Sequence, residues 1–312
     1  MKITAVISTW NRCDDVLANV AALKAGSRPP DEIIVVDNAS SDDTAKRMAR
    51  EHRDVRLLVM SHDQAGACET FNIGFKLARG DAIAIMDDDV VATHDWLGTL
   101  EAALLSEPPS TAMVSSRVIE PGMPESYQQA EVERGRYYAS TFRGCGTLAR
   151  RHVMERAGWY DERLFIYGNE RELSARVLGL GYRILQIPDA VIHHGTPFGM
   201  KAGKRSLYYH VRNFWIYAFK HCRWSDVFAM ALRLLRKSRG GADSTVRTDA
   251  TGSEREGELE ATGTVGLAQS MRDTPGARGI VIKASLNALL NLPYCLARRE
   301  VVHAPDFRLP GV

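Results

Sequence analysis

Three consecutive aspartates, Asp87 to Asp89, follow an apolar run that predicts a β-strand ending at Met86. Successive residues of an extended chain point to opposite sides, so Asp87 and Asp89 are expected on the same side. Two neighbouring carboxylates repel each other unless a cation or a donor-rich ligand lies between them. Mg²⁺ and Mn²⁺ prefer oxygen ligands and link protein carboxylates to substrate phosphates. The run is therefore suited to a metal site, although such a run by itself is more often a solvated acidic turn.

A second carboxylate, Asp37, follows the apolar run 32–36 in the same way. At the end of a buried strand, its oxygens can accept hydrogen bonds from a nucleotide base or a ribose. Ser41 or Asp42 is suited to cap the helix that follows. A simple turn role for Asp37 fits these residues equally well.

The first half of the chain alternates short β-branched runs with helical patterns. Strands are predicted at 3–8, 32–36, 55–60, 82–86 and, more weakly, 112–115, and helices at 14–24, 42–52, 67–79 and 95–106. This alternation predicts βαβ units and an α/β fold with a mostly parallel central sheet flanked by helices. Because open α/β sheets bind ligands beyond the carboxyl ends of their strands, the aspartates lie where a ligand site is expected.

The second half has a different organisation. Residues 117–143 show no clean period and are predicted as a loop insertion near the site. Ordered segments return at 147–158 and 170–178, followed by a predicted strand at 182–187 and predicted helices at 205–221 and 226–237. Residues 238–276 lack aromatics and periodicity, which predicts a flexible linker, and a final helix is predicted near 278–298.

Composition excludes several classes of protein. The 40 basic and 38 acidic residues give a net charge of +2, so a general nucleic-acid binder is not expected. Five scattered cysteines without a CxxC pair argue against a disulfide framework or a zinc site and favour a cytoplasmic protein. Neither a signal-peptide pattern nor a run of about 18 apolar residues is visible, so a secreted or membrane-spanning protein is not expected. The expected protein is soluble, with peripheral contact at the inner face of a membrane, through the C-terminal helices, as the one form of membrane association left open.

The order of the motifs resembles that of family 2 glycosyltransferases over residues 2–221. The first-strand signature is similar to Ser8-Thr9-Trp10-Asn11-Arg12, and the DxD strand to Arg79-Gly80-Asp81 followed by Asp87-Asp88-Asp89. The other segments that carry the resemblance are 36–42, 62–74, 144–146, 158–162, 165–176, 193–195 and 212–213. Within the family, the chain looks most similar to the rhamnosyltransferase-like bacterial members.

This resemblance implies a GT-A fold whose first half is a Rossmann-like nucleotide-binding part. The expected domains are a glycosyltransferase domain at 1–221, divided into a donor part at 1–116 and an acceptor and catalytic part at 117–221. A helical extension at 222–237, the linker at 238–276 and a C-terminal helix and tail at 277–312 would follow.

The resemblance also implies roles for individual residues. Asp37 matches a position that contacts the nucleotide base, and Asp87 one near the ribose. Asp89 matches the carboxylate that reaches a Mg²⁺ or Mn²⁺ ion on the diphosphate. Thr9, Asn11, Arg12 and Asp88 are expected to line the donor site.

Two assignments are less direct. The family usually shows Glu-Asp-x-Asp-Leu where this chain reads Asn169-Glu170-Arg171-Glu172-Leu173. Aligning on Leu173 puts Glu170 at the position of the catalytic base, with Glu172 as the alternative. A histidine near the metal is expected from His193 or His194, and His193 is preferred.

The implied reaction is the inverting transfer of a hexosyl or deoxyhexosyl group from a nucleoside-diphosphate sugar to an acceptor hydroxyl. The acceptor would be a glycan, a lipid-linked or a small molecule, and a homodimer is left open. Two other functions remain. A non-catalytic nucleotide-sugar binding protein is compatible with the altered base motif, whereas a sugar nucleotidyltransferase would need a Gly-rich phosphate loop that residues 9–12 do not form.

Overall fold

The computed structural model describes residues 1–61, 65–199, 203–239 and 267–309. The start of the 62–74 motif therefore lies outside the described residues. The chain divides into two compact units, Met1–Phe198 and Gly199–Val312. The expected end of the glycosyltransferase domain at residue 221 stays a prediction.

The first part of the sheet unit alternates strands and helices. Its elements are β1 (Ile3–Thr9), α1 (Cys13–Ala25), β2 (Glu32–Asp37), α2 (Thr44–Glu51), β3 (Arg56–Val59), α3 (Ala67–Leu77), β4 (Ala82–Asp87), β5 (Val90–Ala92), α4 (Trp96–Ser106) and β6 (Thr111–Ile119). The predicted βαβ pattern agrees with this order. Strand β5 was not predicted, because three residues are too few to show a period.

The second part of this unit differs more from the prediction. It contains α5 (Glu125–Arg134), β7 (Tyr137–Tyr138), β8 (Thr147–Arg150), α6 (Arg151–Ala157), a 3₁₀ turn (Glu162–Leu164), α7 (Asn169–Gly179) and β9 (Arg183–His194). The segment 117–143 is thus not only a loop, since it holds the end of β6, the surface helix α5 and β7. Helix α5 escaped prediction because it has no buried residue, and so no apolar period.

Within the described residues, nine strands form one mixed sheet. Its order is β3-β2-β1-β4-β8-β6-β9-β5, with β7 paired to β9. The pairs among β3, β2, β1 and β4 are parallel, as is β6 with β9, whereas β8, β5 and β7 pair in the antiparallel sense. The sheet is therefore parallel from β3 to β4 and mixed beyond β4.

Register brings the predicted polar residues to one edge of the sheet. Thr9 is opposite Asp37, and Ser8 is opposite Asp87. Residues 33–36 of β2 and 82–86 of β4 are continuous apolar runs because both faces of the sheet are covered, and Ile34, Ile83 and Ile85 are fully buried. A rigid, dry strand thus carries each carboxylate to the edge.

The second unit is helical. It contains α8 (Lys204–His221), α9 (Trp224–Arg239), α10 (Leu267–Asp273), α11 (Ala277–Leu290) and α12 (Leu292–Ala297). Of the predicted linker 238–276, residues 240–266 lie outside the described residues, while α10 near its end is helical. None of the helices in the described ranges combines the length and the apolar character that crossing a membrane requires.

Candidate active site

The aspartate run lies between β4 and the end of β9. Strand β4 ends at Asp87, and β5 pairs with β9 so that Val90 is opposite His194. The backbone N–H of Gly195 donates to the carbonyl oxygen of Asp89 at 2.6 Å. This short antiparallel pairing therefore holds the three aspartates against the carboxyl end of β9.

Asp87, Asp89 and His194 form a group that could hold a metal ion. One ligand atom from each of the three lies within 4.8 Å of the others. His194 Nε2 is 3.2 Å from Asp89 Oδ1 and 3.8 Å from Asp87 Oδ2. Two carboxylate oxygens and an imidazole suit Mn²⁺ or Mg²⁺, so the donor set fits the expected cation.

His194, and not the preferred His193, lies beside the aspartates. Both residues belong to β9, where successive side chains point to opposite sides. His193 is exposed, and its neighbours in the sheet are Val91 and Ile119. The register of β9, which the sequence does not show, puts His194 in the cluster.

Further residues surround the group. His194 Nδ1 lies 2.8 Å from Glu120 Oε1, and the hydroxyl of Thr196 donates to Asp89 Oδ2 at 2.9 Å. The guanidinium of Arg12 is 3.7 Å from Asp89 Oδ2. Glu120 was missed by the sequence analysis because residues 117–143 were interpreted as a loop. Its position after a strand is a weaker signal than that of Asp37 or Asp87, because Ser115, Ser116 and Arg117 interrupt the apolar run.

The electrostatics of the cluster are unbalanced. Burial raises the pKa of Asp87 to about 6 and that of Asp88 to about 7, and the charges of neighbouring carboxylates add to both shifts. Burial alone would lower the pKa of His194, but its contacts with Asp89 and Glu120 outweigh this and raise it to about 10. Burial likewise opposes ionisation of Asp89, yet hydrogen bonds from His194 and Thr196 keep its pKa below the usual value. One histidinium thus faces several carboxylates.

The end of β2 is organised differently. Asp37 is fully buried; its Oδ1 accepts the N–H of Ser40 at 3.0 Å, and its Oδ2 has no hydrogen-bond partner among the described residues. Asn11 links the two loops, since its N–H donates to Ser40 Oγ at 2.8 Å and its Oδ1 accepts the N–H of Ser41 at 2.7 Å. Thr9 is buried beside Asp37. These contacts join the two loops and leave one buried oxygen of Asp37 without a hydrogen-bond partner among the described residues.

Arg12 and Asp88 lie between these two groups. The Arg12 guanidinium pairs with Asp15 at 2.9 Å and also approaches Asp89. The N–H of Trp10 is 3.4 Å from Asp88 Oδ2, so the β1–α1 loop contacts the aspartate run directly. The structure thus brings Thr9, Asn11, Arg12, Asp37 and Asp87 to Asp89 to one edge of the sheet.

Glu170 lies at the start of α7 and is half-buried. Burial raises its pKa, against the effect of a hydrogen bond that Oε1 accepts from Asn169 Nδ2 at 2.9 Å. Its charge is also one of the causes of the raised pKa of Asp87. Gly144 leaves room for it, because a Cβ at residue 144 would lie 2.5 Å from Glu170 Oε1.

Glu172 has other surroundings. It is fully buried, and both of its oxygens accept hydrogen bonds from Arg176 Nε, at 3.1 and 3.0 Å. Arg176 in turn donates to the carbonyl oxygen of Trp159 at 2.6 Å. Residues two apart on a helix point about 200° apart, so Glu170 and Glu172 serve different surroundings. An ion pair holds Glu172 within the packing of α7.

A sequence profile described as glycosyl transferase family 2 matches residues 4–164, more than half of the chain. The chain belongs to glycosyltransferase family 2.

Among curated relatives, a poly-beta-1,6-N-acetyl-D-glucosamine synthase of Staphylococcus aureus is 32% identical over 98 residues, which are 30% of this chain and 23% of that protein. A glucosyl-dolichyl phosphate glucuronosyltransferase of Haloferax volcanii is 25% identical over 117 residues, 36% of this chain and 37% of that protein. The chain thus spans about a quarter to just over a third of the length of these relatives.

Solved structures show the same fold. The mannosyltransferase PcManGT from Pyrobaculum calidifontis, in complex with GDP-Man and Mn²⁺, has a TM-score of 0.55 at 19% identity, covering 95% of this chain and 72% of that one. S. aureus TarS 1–349 in complex with UDP has a TM-score of 0.54 at 13% identity, covering 94% and 92%. The predicted GT-A fold with C-terminal helices is confirmed, while the rhamnosyltransferase-like subtype stays a prediction.

Proposed function

We propose that this family 2 member transfers a hexosyl or deoxyhexosyl group from a nucleoside-diphosphate sugar to an acceptor hydroxyl, with inversion in a single displacement. The observation that carries the proposal is the group formed by Asp87, Asp89 and His194 together with Glu170, a half-buried carboxylate of raised pKa whose charge helps to raise the pKa of Asp87. An inverting transfer needs both features in one site: a proton acceptor and a place for a leaving diphosphate.

The donor would bind along the carboxyl ends of β1, β2 and β4. Asp37 Oδ2, which lacks a partner among the described residues, accepts a hydrogen bond from the base. Thr9 and Asn11 shape the nucleotide pocket, while Arg12 and Asp88 lie toward the phosphates. The links between the β1–α1 and β2–α2 loops hold this surface rigid before the donor arrives.

Asp87, Asp89 and His194 would hold a Mg²⁺ or Mn²⁺ ion. When bound, such a cation neutralises negative charge that grows on the departing diphosphate. Glu120 orients His194 through Nδ1, which leaves Nε2 directed at the two aspartates. A partner on the far nitrogen of a ligating histidine is the usual arrangement at metal sites.

Glu170 accepts the proton of the acceptor hydroxyl as that oxygen attacks the anomeric carbon. A raised pKa suits this task, because a general base works best when its pKa lies near the operating pH. The lack of a side chain at Gly144 allows the Glu170 carboxylate to lie against the backbone of that residue. Glu172 takes no part in the reaction, since both of its oxygens are occupied by Arg176.

The donor can be identified by thermal shift and calorimetry of the full chain with nucleoside diphosphates and their sugars, with Mn²⁺ or with EDTA. We expect one nucleotide to stabilise the protein only with Mn²⁺, by about 2.7 kcal/mol at a hundredfold excess over its Kd. Asp89→Asn should abolish the Mn²⁺-dependent part. Asp43→Asn, on the exposed start of α2, is the matched control. Donor affinity that is the same with EDTA would disprove the role of the metal.

Turnover separates an enzyme from the non-catalytic alternative. Release of nucleoside diphosphate from the donor is measured with candidate acceptors, and the anomeric configuration of the product is read by NMR. We expect acceptor-dependent release and an inverted product. Tight, metal-dependent donor binding without release for any glycan, lipid-linked or small acceptor would favour a nucleotide-sugar binding protein.

A further inference from the structure

Positive charge is concentrated in the helical unit. Its described segments, 203–239 and 267–309, contain 15 basic and 4 acidic residues, a formal charge of +11. The sheet unit, Met1–Phe198, contains 22 basic and 28 acidic residues, a charge of −6. The near-neutral total of the chain therefore conceals a strongly basic helical region.

Helix α9 leaves large apolar side chains in solvent. Trp224, Phe228 and Leu232 are 41–67% exposed, and their spacing of four residues puts them on one face. Val227 and Met230 are buried, so packing within the unit uses a different face. The sequence of the C-terminal half of α9 adds four basic residues: Arg233, Arg236, Lys237 and Arg239.

Helix α11 shows the same feature. Ala284 and Ala288 are fully buried, whereas Ile282, Leu286 and Leu289 form a second exposed stripe, continued by Leu290 at 80% exposure. Exposed Arg278 and Lys283 accompany this stripe along the helix. Single exposed apolar residues are ordinary, but two such series on helices of the same unit indicate a binding surface.

We propose that the exposed stripes of α9 and α11 bind the surface of an anionic lipid bilayer. Aromatic and aliphatic side chains on a basic helix are the features that place a helix in the interface, with its apolar face among the acyl chains. Trp224 carries the Arg299 guanidinium over its ring at 4.3 Å, which pairs an apolar body with a cation. In this arrangement the helices lie in the interface, so the proposed contact is peripheral.

Charge argues against the other occupants. A second copy docked through the same surface would oppose two strongly positive units. Segment 240–266 of this chain has six acidic and two basic residues, no aromatic residue and only three large aliphatic ones, too few to cover two stripes. A nucleic acid would neutralise the charge but leave the stripes in water. An anionic lipid surface would neutralise the positive charge and also remove the apolar stripes from water.

The test is co-sedimentation of the full chain with vesicles of phosphatidylcholine alone and of phosphatidylcholine with phosphatidylglycerol, at low and high salt. We expect binding to the anionic vesicles only, weakened by salt. The double variants Phe228→Ser with Leu232→Ser and Ile282→Ser with Leu286→Ser should each lower the vesicle affinity by about tenfold or more. Leu105→Ser with Val132→Ser, exposed apolar residues of the sheet unit, is the matched control and should bind like wild type.

Several results would overturn the proposal. They are equal binding to neutral vesicles, salt-independent binding, no binding at all, or stripe variants that bind as well as the control. A wild-type dimer that the stripe variants convert to monomer, without vesicle binding, would assign the stripes to a second copy. The salt dependence of the wild-type protein decides the question even if a stripe variant fails to fold, which circular dichroism would reveal.

Discussion

The aspartate edge of the sheet, Asp87 to Asp89, and the buried face of α7 both contain carboxylates, but the charges around these groups differ. At the edge, Asp87 and Asp88 have raised pKa values, and one histidinium faces several acidic groups. Inside α7, Glu172 is fully buried and its charge is matched by Arg176. Glu170, two residues away on the same helix, belongs with the aspartate edge.

This difference separates carboxylates that stabilise the fold from those available for chemistry. A buried carboxylate with a complete set of partners has no free lone pair for a substrate. Carboxylates held close together without enough positive charge repel each other and destabilise the fold. A cationic ligand relieves this repulsion, which favours its binding there. The comparison can be tested by substituting one carboxylate in each region.

Glu170→Gln should have the largest effect on activity. The amide keeps the size of the side chain but accepts no proton, so kcat should fall about 10²–10⁴-fold with donor affinity little changed. Because burial raises the pKa of Glu170, the charged form costs stability, and the thermal midpoint of the variant should be no lower than that of wild type. Steady-state kinetics and calorimetry measure these quantities, with Glu155→Gln on the exposed face of α6 as control.

The pH dependence sharpens the same prediction. A carboxyl of raised pKa keeps its proton to higher pH, so the basic form is lost as pH falls through that value. The rate of the wild-type enzyme should therefore decline on acidification at a pH above the range of an ordinary glutamate. Glu170→Gln should remove this limb. A limb that survives in the variant would assign it to another group.

Glu172→Gln should affect stability instead. Removing one charge of a buried pair leaves Arg176 uncompensated, and the free energy of unfolding should fall by about 3–5 kcal/mol. Denaturant unfolding measures this loss, while kcat per folded molecule stays close to that of wild type. A variant that keeps its stability but loses transfer would identify Glu172 as the base. If neither glutamine variant slows transfer more than a few-fold, neither glutamate is the base.

Glu120→Gln should have the smallest effect. Partners of metal-bound histidines typically contribute 10–100-fold in metal affinity, so Mn²⁺ affinity should fall by about that factor. Electron paramagnetic resonance of free Mn²⁺ measures it without substrate. Glu125→Gln, exposed at the start of α5, is the control. An unchanged Mn²⁺ affinity would mean that Glu120 does not position His194.

Strand ends were predictable because their signal is local. The apolar runs before Asp37 and Asp87 are continuous, since both faces of the inner strands are buried, and each run identifies the carboxylate that follows it. Strand β6 has no continuous apolar run of this kind before Glu120. Its bulged register and the surface helix α5 obscure the pattern, and Glu120 was therefore missed.

The amino-acid sequence alone determined the α/β class, the polar strand ends and, through resemblance, the family. Which of two nearby residues of the same type lies in the candidate site was decided by the tertiary structure. His194 and His193 differ only in which side of β9 they face, and the pairing of β9 with β5 and β6 decides this. Glu170 and Glu172 differ in what lies beside them: the backbone of Gly144 for Glu170 and the guanidinium of Arg176 for Glu172. Long-range packing sets such environments, so a periodic pattern in the sequence cannot show them.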